Sequence, residues 1–146
     1  MMKLETVVVE QHDKVAVVTL NRPDKRNAMS PQLHLDMVEV LEALRDRPDI
    51  NVVVITGSDP AFCAGMDLKE FFLANREDNT RFEKAYRAAV EWRGRTLRYY
   101  PKVTIAMING DCFGGAFSIV EGADLVFLGS HFTLEQYRMG VSPEIT

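Results

Sequence analysis

At 146 residues, 47% of them hydrophobic and 26% charged, the chain has the size and composition of one globular domain with a core of its own. A net charge of −4 argues against a nucleic-acid binder, which is normally basic, but leaves a local site for an anionic ligand open. Cys63 and Cys112 have neither metal-ligand spacing nor a disulfide framework, and three scattered histidines suggest no zinc site, so no metal is expected. The N-terminus turns acidic at Glu5 before a signal-peptide core can form. No apolar run reaches membrane-spanning length, so a reduced, cytoplasmic location without a membrane partner is expected.

In chain order, Thr6 to Glu10 and Lys14 to Leu20 are rich in β-branched residues and flank the polar His12-Asp13, which predicts an antiparallel hairpin. Asn21 to Asn27 is a polar loop broken by Pro23. Ser30-Pro31 reads as an N-cap with proline at the first helical position. Leu33, Met37, Leu41 and Leu44 follow at helical spacing as a buried stripe. Val52 to Ile55 is a continuous apolar run, the pattern of a strand buried on both faces. A loop over Ser58 to Gly65, a short helix over Asp67 to Ala74 and a longer one over Thr80 to Leu97 come next. Val103 to Ile108 predicts a second buried strand, Asn109-Gly110 a turn, Gly114-Gly115 the start of a helix running to Glu121, and Asp124 to Leu128 a short strand. Alternating strands and helices imply an α/β domain of stacked βα units.

Two segments combine a strand end, small residues and a helix start: Ala61 to Glu70 and Asn109 to Ser118. Each turns at the carboxyl edge of the sheet, where α/β ligand sites lie. N–H groups at a helix start lack intrahelical partners and favour negative charge. Two such loops side by side place two donors on one oxygen, the arrangement of an oxyanion hole. Tight turns and close helix–strand packing account for the same glycines equally well. Neither loop carries a phosphate-loop, dinucleotide or nucleophile-elbow motif. Read from the residues alone, they mark a candidate anion or oxyanion site and no more.

The order and spacing of three motifs resemble the enoyl-CoA hydratase/isomerase (crotonase) family, over that family's amino-terminal half. They are Leu20 to Met29, Val54-Ile55-Thr56-Gly57 followed by Phe62 to Leu68, and Ile105 to Gly110 followed by Gly114-Gly115. The resemblance implies a crotonase-like (ClpP/crotonase) α/β spiral of ββα units, incomplete at the carboxy end. Residues 1–146 are then a partial core domain, without the family's carboxy-terminal helical region. It further implies that the N–H groups of Met66 and Gly115 hold a thioester oxygen as it becomes an enolate. Lys25, Ala28, Ala64, Gly65, Asp67, Leu68, Phe71 and Gly114 then lie along the path of an acyl-CoA substrate. Coenzyme A is part of that substrate, no separate cofactor is implied, and the assembly is a homotrimer or hexamer if the carboxy-terminal region is present.

Within the family, Arg26 to Pro31, Gly65 to Glu70 and Cys112 to Gly115 look most like the feruloyl-CoA and 4-hydroxycinnamoyl-CoA hydratase-lyases. Those enzymes hydrate a side-chain double bond and then break a carbon–carbon bond, giving an aromatic aldehyde and acetyl-CoA. Ser118 stands where two-carboxylate hydratases carry their first glutamate. The remaining glutamate of the family aligns with Gln136, and Glu135 is its neighbour. A neutral amide takes no proton as a carboxylate does. Three readings therefore stand: Glu135 acts through a local shift, the chain binds CoA thioesters without catalysis, or its tail is divergent. Phe71 replaces a tyrosine that in the subgroup meets the phenolic hydroxyl. Cys63 is expected to pack, Asp67 to cap or brace the helix after the first loop, and Trp92 to line core or pocket. His12, His34 and His131 are expected on the surface or in loops.

Overall fold

The computed structural model describes residues 1–77 and 79–129. The predicted hairpin forms as β2 (Val7–His12) and β3 (Val15–Leu20), antiparallel, with Val7 opposite Leu20 and His12 opposite Val15. A short β1 (Met2–Lys3) adds to its outer edge. Beyond β3 the sheet becomes parallel through β4 (Val52–Gly57), β6 (Val103–Ile108) and β8 (Leu125–Leu128), in the order β1-β2-β3-β4-β6-β8. Parallel neighbours need a crossover, and helices supply it. The crossover from β3 to β4 is α1 (Pro31–Arg45). The crossover from β4 to β6 holds α2 (Leu68–Glu77) and α3 (Asn79–Glu91), and that from β6 to β8 holds α4 (Phe117–Gly122).

Helix α1 begins as its sequence dictates. Ser30 Oγ accepts from the Leu33 N–H at 3.2 Å, and Pro31 occupies the first turn, where a missing N–H costs nothing. Leu33, Met37, Leu41 and Leu44 are all buried on the sheet. Asp36, on the same helix, accepts from both the N–H (2.8 Å) and the hydroxyl (2.7 Å) of Thr6, and so ties α1 to the start of β2.

The structure corrects four expectations. The loop over Ser58 to Gly65 contains a strand, β5 (Ala61–Cys63), which pairs in parallel with β7 (Asp111–Cys112) as a separate two-stranded sheet. Three-residue strands are too short to leave a periodic pattern, so only their partnership reveals them. Among the described residues, the two strands expected to be buried, the first of them on both faces, are each covered more on one face than on the other. Val53, Ile55, Ala106 and Ile108 face the helices, whereas Val52 and Val54 are half-buried and Val103 and Met107 exposed. The long helix ends at Glu91 and passes into a π-helical turn, Trp92–Thr96, closed by the Leu97 N–H donating to the Trp92 carbonyl.

Last, His34 is a core residue and not a surface one. It lies one residue past Leu33 on the buried side of α1, where Trp92 Nε1–H donates to its Nδ1 at 2.9 Å. That bond leaves the ring proton on Nε2, a buried atom with no partner among the described residues. Burial, and next the charge of Arg93, lowers the His34 pKa from 6.5 to about 3. Above pH 6.5 the imidazole is neutral folded or unfolded. Below it the unfolded chain takes a proton that the folded one refuses, so stability falls as pH drops from 6.5 toward 3. This group contributes at most about 1.4 kcal/mol per pH unit. Replacing it by His34→Asn, which keeps an acceptor for Trp92, should flatten the pH dependence of the denaturation midpoint over that range. Parallel curves for parent and variant would contradict the assignment.

Candidate active site

The β5–β7 ladder sets the two glycine loops against each other at the carboxyl edge of the main sheet. Ala61 lies opposite Asp111 and Cys63 opposite Cys112, and the Phe113 N–H donates to the Cys63 carbonyl at 3.1 Å. The two segments cross the ends of β4 and β6 so closely that a Cβ on Gly57 would clash with the Ala61 carbonyl oxygen. Asn109 locks the crossing: its Oδ1 accepts from the Gly57 N–H (3.1 Å) and its Nδ2 donates to the Gly57 carbonyl (2.8 Å).

Gly65 is where the loops touch. Its φ of +92° is closed to most side chains, and an added Cβ would lie 2.9 Å from the Phe113 carbonyl oxygen and 3.5 Å from Gly115 N. Met66 follows in a one-residue parallel bridge to Met29, in which Met29 N–H donates to the Gly65 carbonyl and Asp67 N–H to the Met29 carbonyl. Both of those bonds use the neighbours of Met66. Among the described residues, neither the Met66 N–H nor the Gly115 N–H donates to a protein acceptor. The Met66 side chain packs over Gly115, with Cγ 3.3 Å from the place a Cβ there would take. The two N–H groups singled out from sequence therefore stand on abutting loops, both unspent.

The acidic candidate beside them is already occupied. Asp67 Oδ1 accepts from the Glu70 N–H at 3.1 Å and caps α2, while Oδ2 pairs with Arg22 Nη1 at 3.0 Å in a largely buried ion pair. Its role is to fix the first loop, as the capping reading predicts. Ser118 is also committed: its hydroxyl donates to the Gly115 carbonyl at 2.6 Å and accepts from Arg93 Nη1 at 2.9 Å. Cys63 is fully buried, and desolvation pushes its thiol up to about 11, which keeps it protonated and agrees with a packing role. Cys112 is raised to about 12, by burial first and then by Cys63.

The remaining candidates differ in exposure. Lys25 is exposed on a 3-10 turn, Pro23–Lys25, with Ala28 and Ala64 half-buried near it. Ala64 N–H donates to the Arg26 carbonyl at 3.0 Å, joining that loop to the first glycine loop. Gly114, at φ +54°, is exposed with nothing within 4 Å of an added Cβ. Leu68 is exposed, whereas Phe71 is buried, edge-on to both His34 (centroids 5.6 Å) and Phe82 (5.9 Å). Met66, Leu68, Phe71, Phe72, Phe82 and Tyr86 line an apolar cavity of about 240 Å³ that opens beside the first loop. A larger open cleft of about 770 Å³ lies between α1 and α3 and includes neither glycine loop. Glu135 and Gln136 lie outside the described residues.

Sequence reasoning missed the side chains that hold this geometry. Asn27 is fully buried at φ +57°, beside Arg26 at +49°, and its amide makes four contacts. Oδ1 accepts from the Arg22 N–H and the Ser58 hydroxyl, and Nδ2 donates to the Ser58 and Ala61 carbonyls. The signal was its place inside a polar loop: asparagine tolerates the left-handed region and satisfies backbone locally. Arg22 and Arg93 were missed because their partners lie tens of residues away.

Comparison with known proteins agrees with this architecture. A family model described as enoyl-CoA hydratase/isomerase matches residues 10–146. The chain belongs to the enoyl-CoA hydratase/isomerase family. A hydroxycinnamoyl-CoA hydratase-lyase from Pseudomonas fluorescens is 46% identical over 142 residues, covering 95% of this chain and 51% of that protein. A probable enoyl-CoA hydratase from Mycobacterium tuberculosis is 31% identical over 144 residues, with 97% and 54% covered. Among solved structures, Pseudomonas aeruginosa AtuE superposes with a TM-score of 0.76 at 31% identity, over 85% of this chain and 48% of that one. An enoyl-CoA hydratase/isomerase from Marinobacter aquaeolei gives 0.76 at 30% identity, over 86% and 49%. The chain thus has the crotonase fold and spans about half the length of the relatives it matches. No helix among the described residues is long and apolar enough to cross a membrane, and no group of three metal-ligating side chains gathers among them.

The two loop glycines differ in what a methyl group would meet, which makes them a matched test. Gly65→Ala adds a steric clash to a strained φ and should destabilise the fold by about 2–3 kcal/mol. Gly114→Ala meets only backbone strain and should cost about 1 kcal/mol. Urea midpoints of the two variants check the order, and equal losses would remove the claim that the loops touch at Gly65.

Proposed function

We propose that this family member binds a CoA thioester and stabilises its enolate with the Met66 and Gly115 N–H groups, acting on a hydroxycinnamoyl- or feruloyl-type enoyl-CoA. The observation that carries the reading is the pair of unspent N–H groups on abutting loops. Preorganised donors of this kind are worth about 3 kcal/mol each when charge develops on oxygen. The aromatic lining of the adjacent cavity suits a flat acyl group, and the relative from P. fluorescens, a hydroxycinnamoyl-CoA hydratase-lyase by name, supports the substrate class.

In this reading, water adds across the acyl double bond: its oxygen bonds to Cβ while the thioester oxygen takes the displaced electron pair as an enolate. Protonation at Cα gives the β-hydroxy thioester. Removal of the hydroxyl proton then breaks the Cα–Cβ bond, releasing an aromatic aldehyde and the enolate of acetyl-CoA, which is protonated in turn. Both halves pass through an enolate on the same oxygen, so one oxyanion hole serves both. A single carboxylate can act as acid and base in successive steps. Glu135 is the candidate for it, with Gln136 in the aligned place. Coenzyme A enters as part of the substrate, and the reading requires no other cofactor. Lys25 is suited to a CoA phosphate as a flexible, exposed cation. A cytoplasmic location, with a homotrimer or hexamer if the carboxy-terminal region is present, completes the proposal.

One observation favours a second acyl class. Phe71 has no hydroxyl to donate and is packed against His34 and Phe82, so a plain enoyl-CoA without a phenolic group fits as well. Comparing feruloyl-CoA with crotonyl-CoA separates the two.

Two substitutions test the machinery. Met66→Pro deletes one donor and should slow turnover of the preferred thioester by about a hundredfold; unchanged turnover removes the oxyanion assignment. Gln136→Glu restores a carboxylate at the aligned place. Activity gained by that variant from an inactive parent identifies the parent as a binder with an inert base, whereas activity lost with Glu135→Gln assigns the base to Glu135.

A further inference from the structure

Arg93 is a charged side chain in contact with the second glycine loop that the assignments above leave without a role. It sits in the π-helical turn Trp92–Thr96, an insertion type that recurs at functional sites because it re-aims side chains. Trp92 there is buried in the core, and Arg93, next to it, is half-buried against Gly115. Its Nε donates to the Ala89 carbonyl (3.1 Å), and Nη1 donates to the Gly115 carbonyl (3.0 Å) and to the Ser118 hydroxyl (2.9 Å). Nη1 lies 3.1 Å from the place a Cβ on Gly115 would take, beside Met66 Cγ. The guanidinium is therefore in contact with the residue whose N–H serves as the second donor.

Among the described residues the charge is also uncompensated. Among the described residues Arg93 forms no ion pair, and its bonds all go to neutral oxygens. Its titratable neighbours Cys63 and His34 are both uncharged at neutral pH. Withdrawing a guanidinium from water without an anion is unfavourable, and an anion arriving beside it removes part of that penalty. The anion that the proposed chemistry brings to this place is the enolate oxygen at Gly115.

We propose that Arg93 is a positioning residue and counter-charge for the enolate: through Gly115 and Ser118 it sets the second oxyanion loop, and its uncompensated charge favours the anionic form of the acyl group over the neutral one. The inference rests on the oxyanion reading above and adds a cation behind one of its donors.

The test separates charge from scaffolding. Two CoA thioethers of equal length serve as probes, one ending in a nitroalkane that ionises to a nitronate with the charge of an enolate, the other in an alkyl group. The parent chain should bind the nitronate more tightly than the alkyl probe and lower the pH at which the nitroalkane ionises, read by nitronate absorbance. Arg93→Gln should lose about tenfold or more of that preference while alkyl-probe affinity changes little. Arg93→Lys, which keeps the charge, should retain most of it. Equal weakening of both probes in Arg93→Gln indicates scaffolding alone and overturns the inference, as does a preference that survives intact. If Arg93→Gln does not fold, Arg93→Lys decides: a retained preference supports the counter-charge, and a lost one overturns it. A parent with no preference for the nitronate overturns the oxyanion reading and this inference together, which distinguishes the two failures.

Discussion

The site depends on a ladder of very few residues. Ala61 and Cys63 pair in parallel with Asp111 and Cys112, away from the main sheet, and this pairing joins two loops separated by some fifty positions. Their own hydrogen bonds are too few to hold such strands in water. The ladder persists because β4 and β6 present it as a platform, with Asn109 clamped to Gly57 beneath it and Asn27 bonded to the Ala61 carbonyl beside it. Without it, the Met66 and Gly115 N–H groups would stand on independent turns. With it, their loops abut, and Gly65 supplies the close approach, since an added Cβ there would lie 2.9 Å from the Phe113 carbonyl oxygen.

The same ladder explains why the polar residues of this region are mostly structural. Asp67, Ser118, Asn27 and Asn109 carry groups that perform chemistry in other proteins, yet each is occupied by backbone or by an arginine. The groups left unspent are backbone N–H donors. A site built from them needs no titratable residue to stabilise a developing oxyanion; what it needs is fixed position and little water. The apolar cavity walled by Phe71, Phe82 and Tyr86 lies beside the first of the two loops.

Charge is distributed in keeping with that arrangement. The chain is acidic overall, but among the described residues the charged group in contact with Gly115 is the Arg93 guanidinium. His34 and Cys63, which in water would titrate near or within the physiological range, are held neutral by burial. The local balance is therefore cationic inside a molecule of net charge −4. Global charge argues against a nucleic-acid partner and says nothing of this site.

Sequence by itself determined the elements whose cause is local. The β-branched runs made the hairpin and the parallel strands, Ser30-Pro31 started α1 where capping chemistry places a start, and the 3.6-residue stripe from Leu33 to Leu44 named its buried face. It also placed two glycine loops at strand ends and, through motif order, pointed to the family that the comparisons establish. Only the tertiary structure decided what depends on distant partners. It showed β5 as a strand, because its partner β7 lies some fifty residues on. It put His34 in the core, because the acceptor that Trp92 needs is on another helix. It brought Arg93 to Gly115 through a π-helical turn that no local pattern announces. A cap or a stripe is read within one turn of helix, whereas a two-strand ladder, a buried imidazole and an uncompensated guanidinium are properties of contacts between segments.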